Sequence, residues 1–273
     1  MESREVAERR TTPAVVVGGI KTACVSRADL VDIMLEDHRR AATGGKPRRP
    51  RLIFDSNGQG ISLAARDPAY RASLVAADLV HADSQWVVFA SRLFTSLPIP
   101  EKSTTTDVFA DTAAAAEQAG LGFFLLGATE EINAKAAENV ARAFPGLRIV
   151  GRRNGYFRPD EEADICREIN ASRADIVWVG LGKPKEQAFC VRNRDAIDAT
   201  WLITCGGCFK FLAGVLPRSP VAVQNAGFEW LHRLVTKPSW DLFLRYLTTN
   251  PHALYLMATR SRRDPVSLEG PPA

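Results

Sequence analysis

Through most of the chain, short runs of aliphatic and β-branched residues alternate with segments whose apolar positions recur every three or four residues. The short runs predict strands at 15–18, 51–54, 79–82, 123–126, 147–150, 175–180 and 201–204. The intervening segments read as helices. Ser26 with Asp29 three residues on forms a start signal, followed by Leu30, Ile33 and Met34 at helical spacing, and the Gly-rich, Pro-rich, basic stretch 41–51 ends that helix. Alternation of this kind predicts an α/β fold: a Rossmann-like, mostly parallel sheet flanked by helices. Past Phe209 no further strand signal occurs, and aromatic and basic residues interleave in helical segments. The expected organisation is a disordered N-terminus at 1–12, an α/β core at 13–208, a helical C-terminal appendage at 209–263 and a disordered tail at 264–273.

Composition narrows the class. With 273 residues, 46% hydrophobic and 24% charged, the chain can bury a large core, which excludes a disulfide-stapled miniprotein and a disordered chain. The 35 basic residues exceed the 31 acidic ones by too little to indicate a nucleic-acid partner. Their placement is more telling. Between 216 and 263 lie Arg218, Arg233, Lys237, Arg245, Arg260, Arg262 and Arg263 against only Glu229 and Asp241, together with Phe228, Trp230, Trp240, Phe243, Tyr246 and Tyr255. Such a mixture suits a membrane–water interface, although an ordinary helical cap with a solvated basic face has the same composition. No apolar run approaches the roughly 18 residues of a membrane span. Residues 1–10 carry no apolar signal region. Both features lead us to expect a cytoplasmic protein. Five cysteines, an odd number, suit reduced thiols. The Cys205-Gly-Gly-Cys208 pair lacks the second ligand pair of a zinc site and reads as small core residues around a turn. We expect no metal and no cofactor.

In an open α/β sheet the ligand lies beyond the strand C-termini, so the turns there carry the candidate chemistry. Asp83 follows the strand at 79–82 and is the first candidate for a general base, with helix capping as the competing role. Asp55 and Asn57 follow the strand at 51–54 and are equally suited to forming a turn. In Gly180-Leu-Gly182-Lys183-Pro184-Lys185, glycines and a helix-starting proline would expose N–H groups to a phosphate, with two lysines adding charge. Gly127 to Glu130 offers a second nucleotide contact, or a helix cap at Thr129. Neither a Walker A loop nor a GxGxxG fingerprint occurs.

The order of these turns, and above all GLGKPKEQ followed by CGGCFKFLAGVLPRSP and GFEWLHRLVTKPSWDLFLRYL, resembles the WecG/TagA/CpsF family of bacterial glycosyltransferases over roughly 15–257. The resemblance implies an inverting, metal-independent enzyme. It would move a sugar from a UDP-sugar donor to a polyprenyl-diphosphate-linked saccharide acceptor at the membrane surface, in cell-surface or exopolysaccharide biosynthesis. On it, 13–208 becomes the UDP-sugar-binding catalytic core and 209–263 the membrane-associating appendage.

Carried over position by position, Asp83 matches the family's catalytic base and Asn57 a donor-pocket asparagine. Asp55 stands where threonine is usual. Asp107 matches an aspartate of a Gly-Ser-Asp-like motif, and Lys102 replaces a common arginine near the diphosphate. Gly127, Gly182 and Lys185 belong to the donor-side turns, and Glu186-Gln187 inverts the usual Gln-Glu, leaving open which of the two faces the sugar. Arg218, Arg233 and Arg245 match the C-terminal motif tied to membrane targeting and closure over the site. Ser84 and Lys210 replace a glycine and an aspartate, and with Asp55 they make a catalytically inactive UDP-binding scaffold of a polysaccharide assembly complex the competing function. Apolar surface on the appendage would favour a homo-oligomer.

Overall fold

A computed structural model describes residues 12–43 and 49–268. In chain order it contains β1 (Thr12–Val17), β2 (Ile20–Ala23), α1 (Arg27–Thr43), β3 (Arg51–Ser56), α2 (Gly58–Ala64), α3 (Pro68–Val75) and β4 (Leu79–Ala82). There follow α4 (Gln85–Phe94), α5 (Thr105–Ala119), β5 (Gly122–Gly127), α6 (Glu130–Ala143), β6 (Arg148–Arg153), α7 (Glu162–Ser172), β7 (Ile176–Gly180), α8 (Lys185–Asn193) and β8 (Trp201–Thr204). The last elements are α9 (Cys208–Leu212), α10 (Val221–Asn225), α11 (Glu229–Thr236), α12 (Trp240–Arg260) and β9 (Arg262–Leu268).

Six strands form one parallel sheet in the order β4-β3-β8-β7-β5-β6. Its central strands are buried on both faces, which is why they read as continuous apolar runs such as IVWVG and WLIT. Leu52, Phe54, Val177 and Val179 pack on one face with residues of α2, α3, α4, α7, α8 and α12. Ile53, Phe123, Trp178 and Trp201 pack on the other with residues of α1, α5, α6 and α9. The α/β class with a parallel sheet flanked by helices is therefore present. Between β3 and β8 the following helices leave on opposite faces, α2 to the first and α9 to the second. Their divergence opens a crevice at the strand ends.

Three features depart from the expected organisation. Gly18 and Gly19, at φ +59 and +86, form a two-residue turn that pairs β1 with an additional short strand, β2. The segment from Asp264, expected to be disordered, instead continues β9 as far as Leu268, antiparallel to β1 in a three-stranded sheet. Pro265 is accommodated there because it lies at the edge, within the stretch where the β1–β9 register shifts. The appendage is not separate from the core either: Ala253, Leu256 and Met257 of α12 are buried in the same cluster as Val15 and Ile61. Residues 1–11 and 269–273, and with them most of the expected disordered ends, lie outside the described residues.

Candidate active site

Four neighbouring strands, β4, β3, β8 and β7, deliver polar residues to one rim. Asp55 sits near the end of β3 with 2% of its surface exposed. Its Oδ1 accepts from Thr204 Oγ1 at 3.3 Å, and its Oδ2 accepts from Asn57 Nδ2 at 3.0 Å and from the Lys183 ammonium. Asn57 is the N-cap of α2, where its Oδ1 accepts from the Gly60 N–H at 3.0 Å. That bond fixes the amide so that Nδ2 faces two carboxylates, those of Asp55 and Asp83.

Asp83 does not cap the helix that follows it. Ser84 does, accepting from the Trp86 N–H. The Asp83 carboxylate instead reaches the start of α5, where Oδ1 accepts from the Thr105 N–H at 2.8 Å and from Thr105 Oγ1 at 3.0 Å. The N-cap of α5, Thr104, makes no side-chain cap bond, so Asp83 takes up an otherwise orphaned donor at a positive helix end. With Asn57 on Oδ2, both carboxylate oxygens are oriented by fixed donors while the group stays only half-buried.

Behind this pair lies a buried charge cluster. The Lys183 ammonium, 7% exposed, pairs with Asp55 and lies 4.0 Å from Glu186 Oε1. The neighbouring carboxylates hold Lys183 firmly in its charged form against the cost of burial. Glu186 accepts two backbone N–H bonds on Oε2, from Gly182 and Gly206, each at 3.0 Å. Even so, burial pushes its carboxyl up to about 7, with Asp55 adding to the rise and Lys183 opposing it. His81, on β4 beside Asp55, is buried; desolvation lowers its pKa against the pull of Asp55 and Asp83, so it is neutral. Its Nδ1 lies 3.0 Å from Ser103 Oγ.

The crevice is a cleft of about 910 Å³ lined by Asp55, Asn57, Asp83, Gly182, Lys183 and Glu186 on the sheet side. Lys210, Arg218, Arg233, Lys237 and Arg245 also line it, with Glu229 and Asp241 among them. A second chamber of about 220 Å³ shares Asn57, Gln59, Asp83, Glu229, Arg233 and Arg245 and is otherwise lined mostly by α4, α11 and α12, with Trp86, Trp230 and Tyr246 among its walls. Asp83 thus stands where the two spaces meet. Arg218 holds the α9–α10 connection against α5 through Thr106 and through Asp107 at 2.8 Å. Arg233 stacks over Phe211 at 5.1 Å and Arg245 over Tyr246 at 5.2 Å.

The sequence-derived candidates divide. Asp83, Asp55, Asn57, Gly182, Glu186, Arg218, Arg233 and Arg245 converge on the cleft. Lys185 does not: as the first residue of α8 it is exposed and off the cleft, and Lys183 two residues earlier is the lysine that enters. Gly127 does not line the cleft either. At φ +145 it lies against β7, where a Cβ would come within 2.3 Å of Gly180 O, so its smallness serves strand packing. Lys102 and Asp107 line a neighbouring groove, with Lys102 bonded to Gln224 at 3.3 Å and near Glu229 at 3.6 Å. Of the Glu186-Gln187 pair, Glu186 faces the cleft, while Gln187 is buried and donates to Glu186 Oε1 at 3.2 Å. Thr105 and Thr204 are site residues that reading the turns had not singled out, and Lys183, read there with Lys185 as charge for a phosphate, pairs with Asp55.

The Cys205 and Cys208 thiols are free and buried, and burial pushes both far up. They are poor nucleophiles and pack as small core residues. Among the described residues no group of three or more His, Cys, Asp or Glu side chains is arranged to hold a metal ion. No helix among them is long and apolar enough to cross a membrane.

The parallel α/β sheet thus offers, at its strand ends, a cleft lined by carboxylates, lysines and arginines, where an open sheet of this kind places its ligand. Residues 15–266 match the glycosyl transferase WecG/TagA/CpsF family, and the chain belongs to that family. A Bacillus spizizenii protein named N-acetylglucosaminyldiphosphoundecaprenol N-acetyl-beta-D-mannosaminyltransferase is 31% identical over 189 residues, covering 68% of this chain and 72% of that protein.

Proposed function

We propose that the protein is an inverting glycosyltransferase that moves a sugar from a UDP-sugar to a polyprenyl-diphosphate-linked saccharide at the inner membrane face, in cell-surface or exopolysaccharide biosynthesis. The observation that carries this reading is the position of Asp83 at the junction of two chambers, one of them walled by cations.

On this reading the donor occupies the larger cleft, its diphosphate among Arg218, Arg233, Lys237 and Arg245 and its sugar over Asn57 and Glu186. The acceptor enters through the smaller chamber, where aromatic rings offer flat apolar walls to a saccharide. Asp83 removes the proton of the acceptor hydroxyl as that oxygen attacks the anomeric carbon from the face opposite the leaving group. The bond from the anomeric carbon to the diphosphate oxygen breaks, UDP departs with the electron pair, and the configuration inverts. The cations stabilise the charge that develops on the leaving diphosphate.

The surface of α11 and α12 supports attachment to the membrane. Leu231, Val235, Trp240, Phe243, Leu247 and Tyr255 are exposed there. Beside basic residues, such a face suits an anionic lipid interface, and it places the acceptor chamber next to the lipid carrier. The test is acceptor-dependent UDP release from a panel of UDP-sugars with a lipid-diphosphate saccharide present. Release from at least one donor supports the reading; UDP binding without release from any donor favours the inactive scaffold.

A further inference from the structure

The sheet side of the cleft carries more negative than positive charge close to Asp83. Asp55, Asp83 and Glu186 line it beside one ammonium, Lys183, which is already paired with Asp55 and enclosed to 7% exposure. Tyr70, packed from α3 behind the cluster, keeps its phenol neutral because burial pushes its pKa up, so it adds no further negative charge. The remaining cations of the cleft are Lys210 on α9, Arg218 in the α9–α10 connection, Arg233 and Lys237 at α11, and Arg245 on α12, with Glu229 and Asp241 among them. A nucleoside diphosphate would draw on those cations for its own charges. Among their hydrogen bonds and ion pairs, Asp55, Asp83 and Glu186 meet no cation but Lys183, so a further carboxylate placed beside them would lie among like charges.

A hydroxyl carries no charge and meets no such repulsion. Glu186 Oε1, fully buried, accepts a single neutral donor, Gln187 Nε2 at 3.2 Å, and lies 4.0 Å from Lys183, so no close ion pair offsets its charge. Burial is the main cause of the raised pKa of Glu186, about 7, and the neighbouring Asp55 carboxylate adds to it.

We infer that Asp55, Lys183 and Glu186 form a specificity element for the donor sugar, admitting a neutral hexose or N-acetylhexosamine and excluding a sugar whose C6 is a carboxylate. The inference rests on the UDP-sugar reading above and narrows it to one class of donor.

Calorimetric titration of the wild-type protein with UDP, then with UDP-glucose against UDP-glucuronate and UDP-N-acetylmannosamine against its uronate, compares donors that differ only at C6. The expected result is binding of the neutral member at least roughly tenfold tighter in both pairs. Asp55→Asn frees Lys183 to meet a carboxylate, and Glu186→Gln removes one like charge at nearly constant volume. Each folded variant should narrow the ratio by at least about threefold. A uronate bound as tightly as its neutral partner by the wild type, or a ratio unchanged in both folded variants, overturns the inference. Failure of UDP itself to bind would remove the transferase reading and this inference with it, whereas UDP binding with a uronate preference removes the inference alone.

Discussion

Asn57 Nδ2 lies 3.0 Å from Asp83 Oδ2 and joins the end of β3 to the end of β4 through a neutral amide. The same nitrogen is 3.0 Å from Asp55 Oδ2, and the amide oxygen caps α2. One side chain therefore holds two like charges in a fixed relation while being held itself by a backbone N–H. Asn57→Ala should lower kcat by roughly 10- to 100-fold through loss of orientation at Asp83. The missing cap should lower stability by only about 1 kcal/mol. Steady-state kinetics beside thermal melting checks this; loss of activity only in proportion to unfolded protein would assign Asn57 a purely structural role.

The Lys183–Asp55 pair is nearly dry, at 7% and 3% side-chain exposure, so removing one partner strands a charge. Lys183→Met should cost roughly 3–5 kcal/mol. The double variant Asp55→Thr, Lys183→Met should recover at least about 2 kcal/mol of that, because neither member is left alone. Urea unfolding of the two variants measures the difference, and equal destabilisation would show that the ion pair is not the origin of the cost.

Glu186 titrates at about 7 in the folded protein against 4.5 for an unperturbed carboxyl. Its folded-state pKa is raised, so between pH 4.5 and 7 the folded state holds the proton more tightly than the unfolded one. The contribution of Glu186 to stability therefore falls as pH rises through that window and is level on either side. Melting temperatures of wild type and Glu186→Gln across pH 4 to 8 should converge or cross as the wild type loses this term; parallel curves would contradict the assignment.

Much of this was legible along the chain, for a physical reason. Strands buried on both faces are mostly apolar, so β3, β4, β5, β7 and β8 announced themselves, and parallel order placed their following turns on one rim. Asp83, Asn57, Asp55 and Glu186 were found because they lie within a few residues of those strand ends. What escaped detection depends on contacts remote in sequence. β9 carries two arginines, an aspartate and a proline, and is a strand only because β1 offers it an edge. Gly127 and Lys185 look like ligand contacts in a turn, yet one is fixed by the approach of β7 and the other by the first turn of α8. The role of Thr105 in orienting Asp83 spans 22 residues and has no local signature.

The exposed face of α11 and α12 should bind lipid. Trp240 and Leu247 are 71% and 57% exposed, and inserting either would contribute on the order of 1.5–3 kcal/mol. Nearby Lys and Arg residues add about 1 kcal/mol each near an anionic surface. Sedimentation with phosphatidylglycerol-containing vesicles should show binding that weakens as salt is raised and falls at least about tenfold in Trp240→Ser, Leu247→Ser. Absence of vesicle binding at low salt would contradict membrane attachment through this face.

The account turns on Asp83 as the base, and acceptor-dependent UDP release by wild type and Asp83→Asn, at matched donor occupancy, tests it most directly. Asparagine keeps the side-chain volume and the acceptor oxygen that Thr105 bonds, but it cannot take up the proton. The predicted result is UDP affinity within about twofold of wild type and a turnover rate lower by at least roughly 100-fold. Equal turnover in the two proteins would contradict the account and remove Asp83 from the chemistry.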